Sequence, residues 1–216
     1  MIPLRDSKPA HTFPFWVIVI IALNAWVFFL EFSAADPELF ISQWALIPTL
    51  VDWGNPITLI PFITSQFLHA GVVHILSNMW FLWIFGDNIE EYFGKFFFPI
   101  VYLLSGFAGG VAQYLLAPNS TIPMLGASGA IAGVLGAYLV LFPRHTIKTL
   151  VPVFGFITVV DISASVMLFY WFFTQLFVGV GSLAVAAIGG VAWFAHIGGF
   201  ITGWALGRFT RNSFRV

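Results

Sequence analysis

Long apolar stretches separated by short polar segments dominate the chain. A helix needs about 20 apolar residues to cross a bilayer, and six stretches approach or exceed that length. We place them at residues 13–30, 62–85, 96–116, 127–142, 162–177 and 190–207. The last three are short, which indicates that some helices end below the membrane surface. The pattern predicts an all-α membrane protein, a bundle of six transmembrane helices.

Composition sets the expected solvent and excludes several kinds of partner. Hydrophobic residues make up 60% of the 216 residues and charged residues only 8%, and the mean hydropathy is +0.96. Soluble domains carry about 25% charged residues, so we expect a lipid bilayer around this chain. The net charge of −1 favours no nucleic acid partner. The absence of cysteine excludes disulfides and thiolate metal sites.

The positions of Lys and Arg set the expected orientation. An even number of crossings puts both termini on one side, and all eight Lys and Arg fall on that side. None lies in the opposite segments 31–61, 117–126 and 178–189. Cytoplasmic loops of membrane proteins carry the excess of basic residues. Both the N- and the C-terminus are therefore expected in the cytoplasm.

The length suits one domain rather than several. We interpret residues 1–216 as a single transmembrane domain, with cytoplasmic tails at 1–12 and 208–216. Segment 31–61 is too long for a tight turn. Its apolar residues, with Trp44 and Trp53 as anchors, predict a first loop lying in the membrane interface.

The segment before the fifth apolar stretch is a weaker signal. Residues 149–160 are rich in β-branched and apolar side chains and are interpreted as interfacial or partly re-entrant. Asp161 follows, and we expect it to cap the start of the next helix. An alternative role, completing a catalytic triad, would require it to lie near the outer face.

Ser128 opens the fourth stretch within Gly126-Ala127-Ser128-Gly129. A serine in this place can merely cap the helix. The elbow of soluble hydrolases requires glycine two residues after the serine, and this chain has Ala130 there. Polar side chains at bilayer depth are costly and mark functional sites, so Ser128 is also a candidate nucleophile.

The last stretch contains a histidine beside a line of small residues. Gly199, Gly203 and Gly207 recur every four residues, so one helix face permits close approach of another backbone. His196 lies on or next to that face, and the fourth stretch also carries small residues at helical spacing. If the two faces meet, His196 comes within reach of Ser128 as a general base. The alternative is a buried histidine bonded to a backbone carbonyl.

Two polar residues of the second stretch share a helix face. His74 and Asn78 are four residues apart, and two donors on one face in lipid can stabilise an oxyanion. The alternative is a hydrogen bond between helices. His69 and His74 are five residues apart, which weighs against a metal pair, and we expect no metal.

Four motifs together resemble the rhomboid intramembrane serine proteases in order, spacing and helix placement. They are Phe67-Leu68-His69-x-Gly71-x-x-His74-x-x-x-Asn78-Met79, Phe85-Gly86-Asp87-Asn88-Ile89-Glu90, Gly126-x-Ser128-Gly129 and Ala195-His196-x-x-Gly199. The match covers residues 60–207. The resemblance implies a serine endopeptidase that cleaves transmembrane protein substrates near the outer membrane face without a cofactor.

The resemblance also implies a role for each matched residue. Ser128 would be the nucleophile and His196 the general base, a catalytic dyad without an acidic third member. His74, Asn78 and the backbone N–H of Ser128 would line the oxyanion hole. Structural roles would fall to Glu90, Gly126, Gly129 and Gly199. The fifth helix and the loop 178–189 would form a substrate gate and cap.

Two positions depart from the family pattern. The first loop often carries a Trp-Arg pair, where this chain has Trp44-Ala45. Many members carry an aromatic residue one turn after the nucleophile, where this chain has Ala132, so His196 needs another support. Neither departure removes a catalytic atom.

Other interpretations remain open. The first is a non-catalytic rhomboid-like binder of membrane proteins, although such relatives typically lose the serine or the histidine. The second is a small transporter or channel, which would show inverted repeats or an ionisable path. The absence of a soluble extension favours an integral, multi-pass protein of the plasma (inner) membrane, its site opening to the outer side. The sequence leaves the oligomeric state open.

Overall fold

Helices form most of the chain, as the apolar pattern predicts. The computed structural model describes residues 1–8, 10–153, 156–184 and 192–213. The helices are α1 (Phe15–Ser33), α2 (Pro37–Trp44), α3 (Pro61–Thr64), α4 (Val72–Leu116), α5 (Ser128–Leu141), α6 (Ala164–Ala184) and α7 (Trp193–Ser213). The strands are β1 (Ile2–Asp6), β2 (Thr146–Val153) and β3 (Phe156–Ser163).

The start of α1 is held by a carboxylate from another helix. The first N–H groups of a helix have no acceptor within it. Trp16 and Val17 donate theirs to the two carboxylate oxygens of Glu90, each at 2.9 Å, and Glu90 is buried. This bidentate contact fixes the start of α1 against α4, so the carboxylate of Glu90 connects the two helices.

Most of the second apolar stretch and all of the third lie in α4, which consists of two helical segments separated by a kink at Gly94. Its 45 residues would measure about 67 Å as a straight helix, more than twice the roughly 30 Å of hydrocarbon in a bilayer. Gly94 has φ of 73°, a backbone conformation that favours glycine. The helix begins at Val72 rather than residue 62, so His69 precedes it.

The central helix α5 is short and almost entirely buried. Its 14 residues span about 21 Å, less than the roughly 30 Å of hydrocarbon in a bilayer. Along it lies α7, and the two small-residue faces meet. A β-carbon on Gly199 would overlap the carbonyl oxygen of Gly129, so glycine is required for this approach.

The chain is not all-helical, which corrects the predicted fold class. Residues 149–153 and 156–160 lie in the paired strands β2 and β3, and β1 pairs with β2 to give an antiparallel sheet in the order β1-β2-β3. β-Branched side chains favour strands over helices. Strand pairing supplies the hydrogen bonds that a helix would otherwise provide.

Asp161 does not cap α6, contrary to the prediction. It lies in β3 opposite Lys148, and its carboxylate is 3.8 Å from the ammonium of that residue. The cap comes from Ser163, whose hydroxyl oxygen accepts the N–H of Val166 at 3.4 Å. The hairpin carries Asp161 away from the helix end.

The predicted N-terminal tail is tied into the bundle. Asp6, the last residue of β1, is buried. Its carboxylate accepts hydrogen bonds from the Tyr138 hydroxyl and from the Asn88 amide at 3.0 Å, and it lies 3.3 Å from Nδ1 of His145. These four residues form what we call the Asp6 cluster.

Two predicted segments lie only partly within the described residues. Of the predicted cap, 178–184 form the end of α6 and 185–189 lie outside the described residues. Of the predicted C-terminal tail, 208–213 continue α7, and 214–216 lie outside.

Three helices in the described part of the chain are long and apolar enough to cross a membrane: α1, α4 and Ala164–Gly181 of α6. α5 is apolar but shorter. Large apolar side chains point outward along these helices, among them Trp26, Phe29 and Leu76. Such surfaces are typical of helices that contact lipid.

Candidate active site

Ser128 and His196 come together in the structure. Ser128 is the first residue of α5 and His196 lies in the first turn of α7. The Ser128 Oγ and the His196 Nε2 are 2.8 Å apart, which is the distance that a nucleophile and its general base require. The close contact between α5 and α7 produces this geometry.

The turn before Ser128 requires glycine. Gly126 has φ of 122°, and a β-carbon on it would lie 2.8 Å from the imidazole of His74. Its N–H donates to the carbonyl oxygen of Ser65 at 2.8 Å. Gly126 therefore lets His74 approach the start of α5. A β-carbon on Gly129 would make only ordinary contacts with the backbone of Ala195.

His196 is supported from three sides, none of which is the family aromatic. Its Nδ1 lies 2.7 Å from Oε1 of Gln175 on α6. The rings of Trp171 and Trp193 lie 5.9 Å and 6.0 Å from the imidazole. The histidine is 8% exposed, so these neighbours leave it little freedom to rotate.

The residues expected at the oxyanion hole line the same cavity. His74 and Asn78 extend from the first two turns of α4. The Asn78 Nδ2 is buried and has no hydrogen-bond partner among the described residues. The His74 Nδ1 accepts a long bond of 3.4 Å from the N–H of Ala70, which leaves Nε2 as its donor. The Ser128 N–H is at a helix start, where donors lack intrahelical acceptors.

These groups surround a cavity of about 390 Å³. Its polar lining is concentrated at one end of α5, and its remaining wall is apolar and aromatic. The polar lining residues are His74, Ser77, Asn78, Ser128, Gln175 and His196, and the apolar ones include Phe81, Ile131, Leu135, Trp171 and Trp193. Such a cavity can admit water and a segment of peptide to the serine.

A buried carboxylate lies close to this site and was not singled out in the sequence. Glu31, at the end of α1, is buried, and its Oε2 accepts the N–H of His69 at 3.1 Å. The imidazole of His69 contacts that of His74, with ring centres 5.1 Å apart. Among the described residues no group of three or more His, Cys, Asp or Glu is arranged to hold a metal ion.

Sequence reasoning did not identify three of the residues that contact His196, namely Gln175, Trp171 and Trp193. One signal was available for Gln175, since an amide within an apolar helix is costly unless it has a partner. Nothing in the sequence indicates that this partner is a histidine 21 residues later.

Comparison with known proteins identifies the family of this chain. The family model described as the Rhomboid domain matches residues 57–213. This range covers most of the chain and includes His74, Asn78, Ser128 and His196. The chain belongs to the rhomboid family. Membership of this family and the apolar helices together show that the chain is a multi-pass helical membrane protein.

Curated rhomboid relatives match over two thirds of this chain or slightly less. RHOMBOID-like protein 6, mitochondrial, of Arabidopsis thaliana is 34% identical over 148 residues, 67% of this chain and 41% of the relative. Rhomboid protease GluP of Bacillus subtilis (strain 168) is 33% identical over 138 residues, 62% of this chain and 25% of the relative. The chain thus spans a quarter to two fifths of the length of these relatives.

Proposed function

We propose that this rhomboid is an intramembrane serine endopeptidase that cleaves transmembrane helices near the outer membrane face with a Ser128–His196 dyad. The observation that carries the proposal is the 2.8 Å contact between Ser128 Oγ and His196 Nε2. Family membership adds independent support, since one relative is named a rhomboid protease.

The first half of the reaction forms an acyl-enzyme. The Ser128 hydroxyl gives its proton to His196 Nε2 as Oγ attacks the scissile carbonyl carbon. Negative charge on the carbonyl oxygen is stabilised by the Ser128 N–H, the Asn78 Nδ2–H and the His74 Nε2–H. The protonated His196 then gives its proton to the leaving amine, and the peptide bond breaks.

The second half releases the enzyme. Water in the cavity gives a proton to His196 and attacks the ester carbonyl, and Ser128 leaves with the proton that His196 returns. Lipid supplies no water, so a polar cavity open to the outer side is a requirement of this step. Glu90, Gly126, Gly129 and Gly199 act structurally: Glu90 holds α1, Gly126 admits His74 and Gly199 admits Gly129.

The substrate is a transmembrane helix that must unwind before cleavage. Its backbone groups are already bonded to one another, so Gly, Ser or Pro near the cut lowers the cost of unwinding. Entry past α6, whose Trp171 and Phe172 rings lie against Phe200, brings the helix laterally from the bilayer. No cofactor takes part.

The topology completes the proposal. The single domain 1–216 crosses the plasma (inner) membrane six times with both termini cytoplasmic. α4 provides two crossings, and α1, α5, α6 and α7 provide one each. Loop 31–61 lies at the outer interface, and the positions of Lys and Arg support this orientation.

The test is cleavage of a reporter helix in proteoliposomes. The reporter carries a Gly-Ala pair in its transmembrane span and a fluorophore at each end. We expect cleavage by the wild type and a loss of about 10⁴-fold or more in Ser128→Ala and in His196→Ala. Cleavage that persists in Ser128→Ala contradicts the proposal. A wild-type protein that binds reporter helices without cutting any of them favours the non-catalytic binder.

A further inference from the structure

The amide of Gln175 is bonded at both ends within a mostly apolar helix. Its Oε1 lies 2.7 Å from His196 Nδ1. Its Nε2 donates a long bond of 3.5 Å to the hydroxyl oxygen of Thr174. The Thr174 hydroxyl in turn donates to the carbonyl oxygen of Trp171 at 2.7 Å. The chain of bonds runs from the backbone of α6 to the imidazole.

This chain of bonds favours one orientation of the amide. A threonine hydroxyl has one proton, and that of Thr174 is given to the Trp171 carbonyl. The hydroxyl can therefore only accept from Gln175, which turns the NH₂ group of the amide toward Thr174. The oxygen of the amide is left facing His196.

An acceptor at Nδ1 selects one tautomer of the imidazole. In neutral histidine one ring nitrogen carries the proton and the other accepts. An oxygen facing Nδ1 places the proton there and leaves Nε2 as the acceptor, which is the nitrogen that Ser128 Oγ contacts. The opposite tautomer would present an N–H to the serine and could not take its proton.

The other neighbours of His196 cannot make this selection. The indole N–H groups of Trp171 and Trp193 are donors only, so they pack against the ring without accepting from Nδ1. On α5 the residue one turn after Ser128 is Ala132, which offers no polar atom. Across the cavity, His74 of α4 is the titratable side chain among the described residues that faces His196.

We propose that Gln175 is a positioning residue that holds His196 in the tautomer and orientation required of a general base. The proposal rests on the proteolytic function above and deepens it to a Ser128–His196–Gln175 triad with a neutral third member. Because Gln175 is on α6 and His196 is on α7, the base is aligned only while α6 is seated against α7.

The first test replaces the amide with an apolar side chain of similar size. Gln175→Leu removes the acceptor, and we expect kcat for the reporter helix to fall about 10- to 100-fold, part of the 10²–10⁴-fold that a general base contributes. The KM should stay within about twofold, because the substrate carbonyl is bound by other groups. Ile201→Ala is the matched control, since Ile201 is on the same helix as His196 and is exposed.

The second test replaces the amide with a carboxylate. Gln175→Glu keeps an acceptor at Nδ1 and adds a negative charge, which favours the protonated imidazole. We expect activity to be retained, with the acidic limb of the kcat/KM profile moved to higher pH by about one unit. Ile201→Ala should leave the profile unchanged.

The outcomes separate this proposal from the proteolytic function. A wild type that cleaves the reporter, with a Gln175→Leu variant that unfolds at the wild-type temperature and keeps kcat within twofold, overturns the role of Gln175 alone. An unmoved profile in Gln175→Glu also overturns it. A wild type that cleaves no reporter contradicts the protease itself, before either variant is measured.

Discussion

Polar groups meet at both ends of α5, and the two groups are arranged differently. At its start, Ser128 contacts His196 beside a cavity, and the Asn78 amide donor has no partner among the described residues. Near its other end, Tyr138 lies in the Asp6 cluster, where the carboxylate contacts three different side chains.

This difference separates a reactive site from a structural one. In the Asp6 cluster the carboxylate of Asp6 already accepts hydrogen bonds from other side chains of the protein. These bonds join β1 to the helix bundle. At the Ser128 end, donors converge on space that a substrate can fill. Buried polar groups in a membrane helix bundle thus mark two functions, and the presence of a cavity distinguishes them.

The largest effect is expected from removing the unpaired donor. Asn78→Ala should lower kcat by about 10²–10³-fold, the cost of losing one oxyanion donor, with little change in thermal unfolding. Its matched control is Ser77→Ala, because the Ser77 hydroxyl lines the same cavity but already donates to the His74 carbonyl at 2.9 Å. Equal kcat values for the two variants would show that Asn78 does not contribute to the oxyanion hole.

The opposite pattern is expected at the other end of α5. Tyr138→Phe deletes a buried hydrogen bond to Asp6, and we expect the free energy of unfolding to fall by about 1–3 kcal/mol. Tyr114→Phe, which removes an exposed bond with Trp53, should change it less. Unfolding in detergent micelles measures both. If Tyr138→Phe lowers kcat of the folded protein instead, the Asp6 cluster is not purely structural.

A smaller effect is expected where α6 meets α7. The Phe172 ring lies 4.7 Å from that of Phe200, and Phe172→Ala should loosen this contact and speed cleavage by roughly two- to fivefold if lateral entry limits turnover. Phe169→Ala on the same helix serves as the control, since the Phe169 ring stacks on that of Phe173 within α6. Unchanged rates in Phe172→Ala would show that α6 does not limit entry.

Local patterns predicted the helical part of this fold and the central pair of the site. The apolar run that forms α1 and the small residues that let α7 approach α5 are signals within single segments. From them the contact of Ser128 with His196 follows. The separation of the second and third stretches also agrees with the structure, since the backbone of α4 is non-helical at Gly94, between them.

Features that depend on distant pairing were missed. The hairpin β2–β3 looks like an apolar segment in the sequence, and its partner β1 lies more than 140 residues earlier. Asp161 faces Lys148 only because of the strand register. Gln175 is one polar residue in an apolar helix, and its contact with His196 depends on how α6 packs against α7.

The most direct measurement is the site of reaction with a serine-directed probe. The purified protein in detergent is treated with a fluorophosphonate, and the modified residue is located by peptide mass spectrometry. We predict a phosphonyl adduct on Ser128 in the wild type and a large loss of it in His196→Ala, because the serine then lacks its base. An adduct on another serine, or equal labelling of Ser128 without His196, would contradict the dyad.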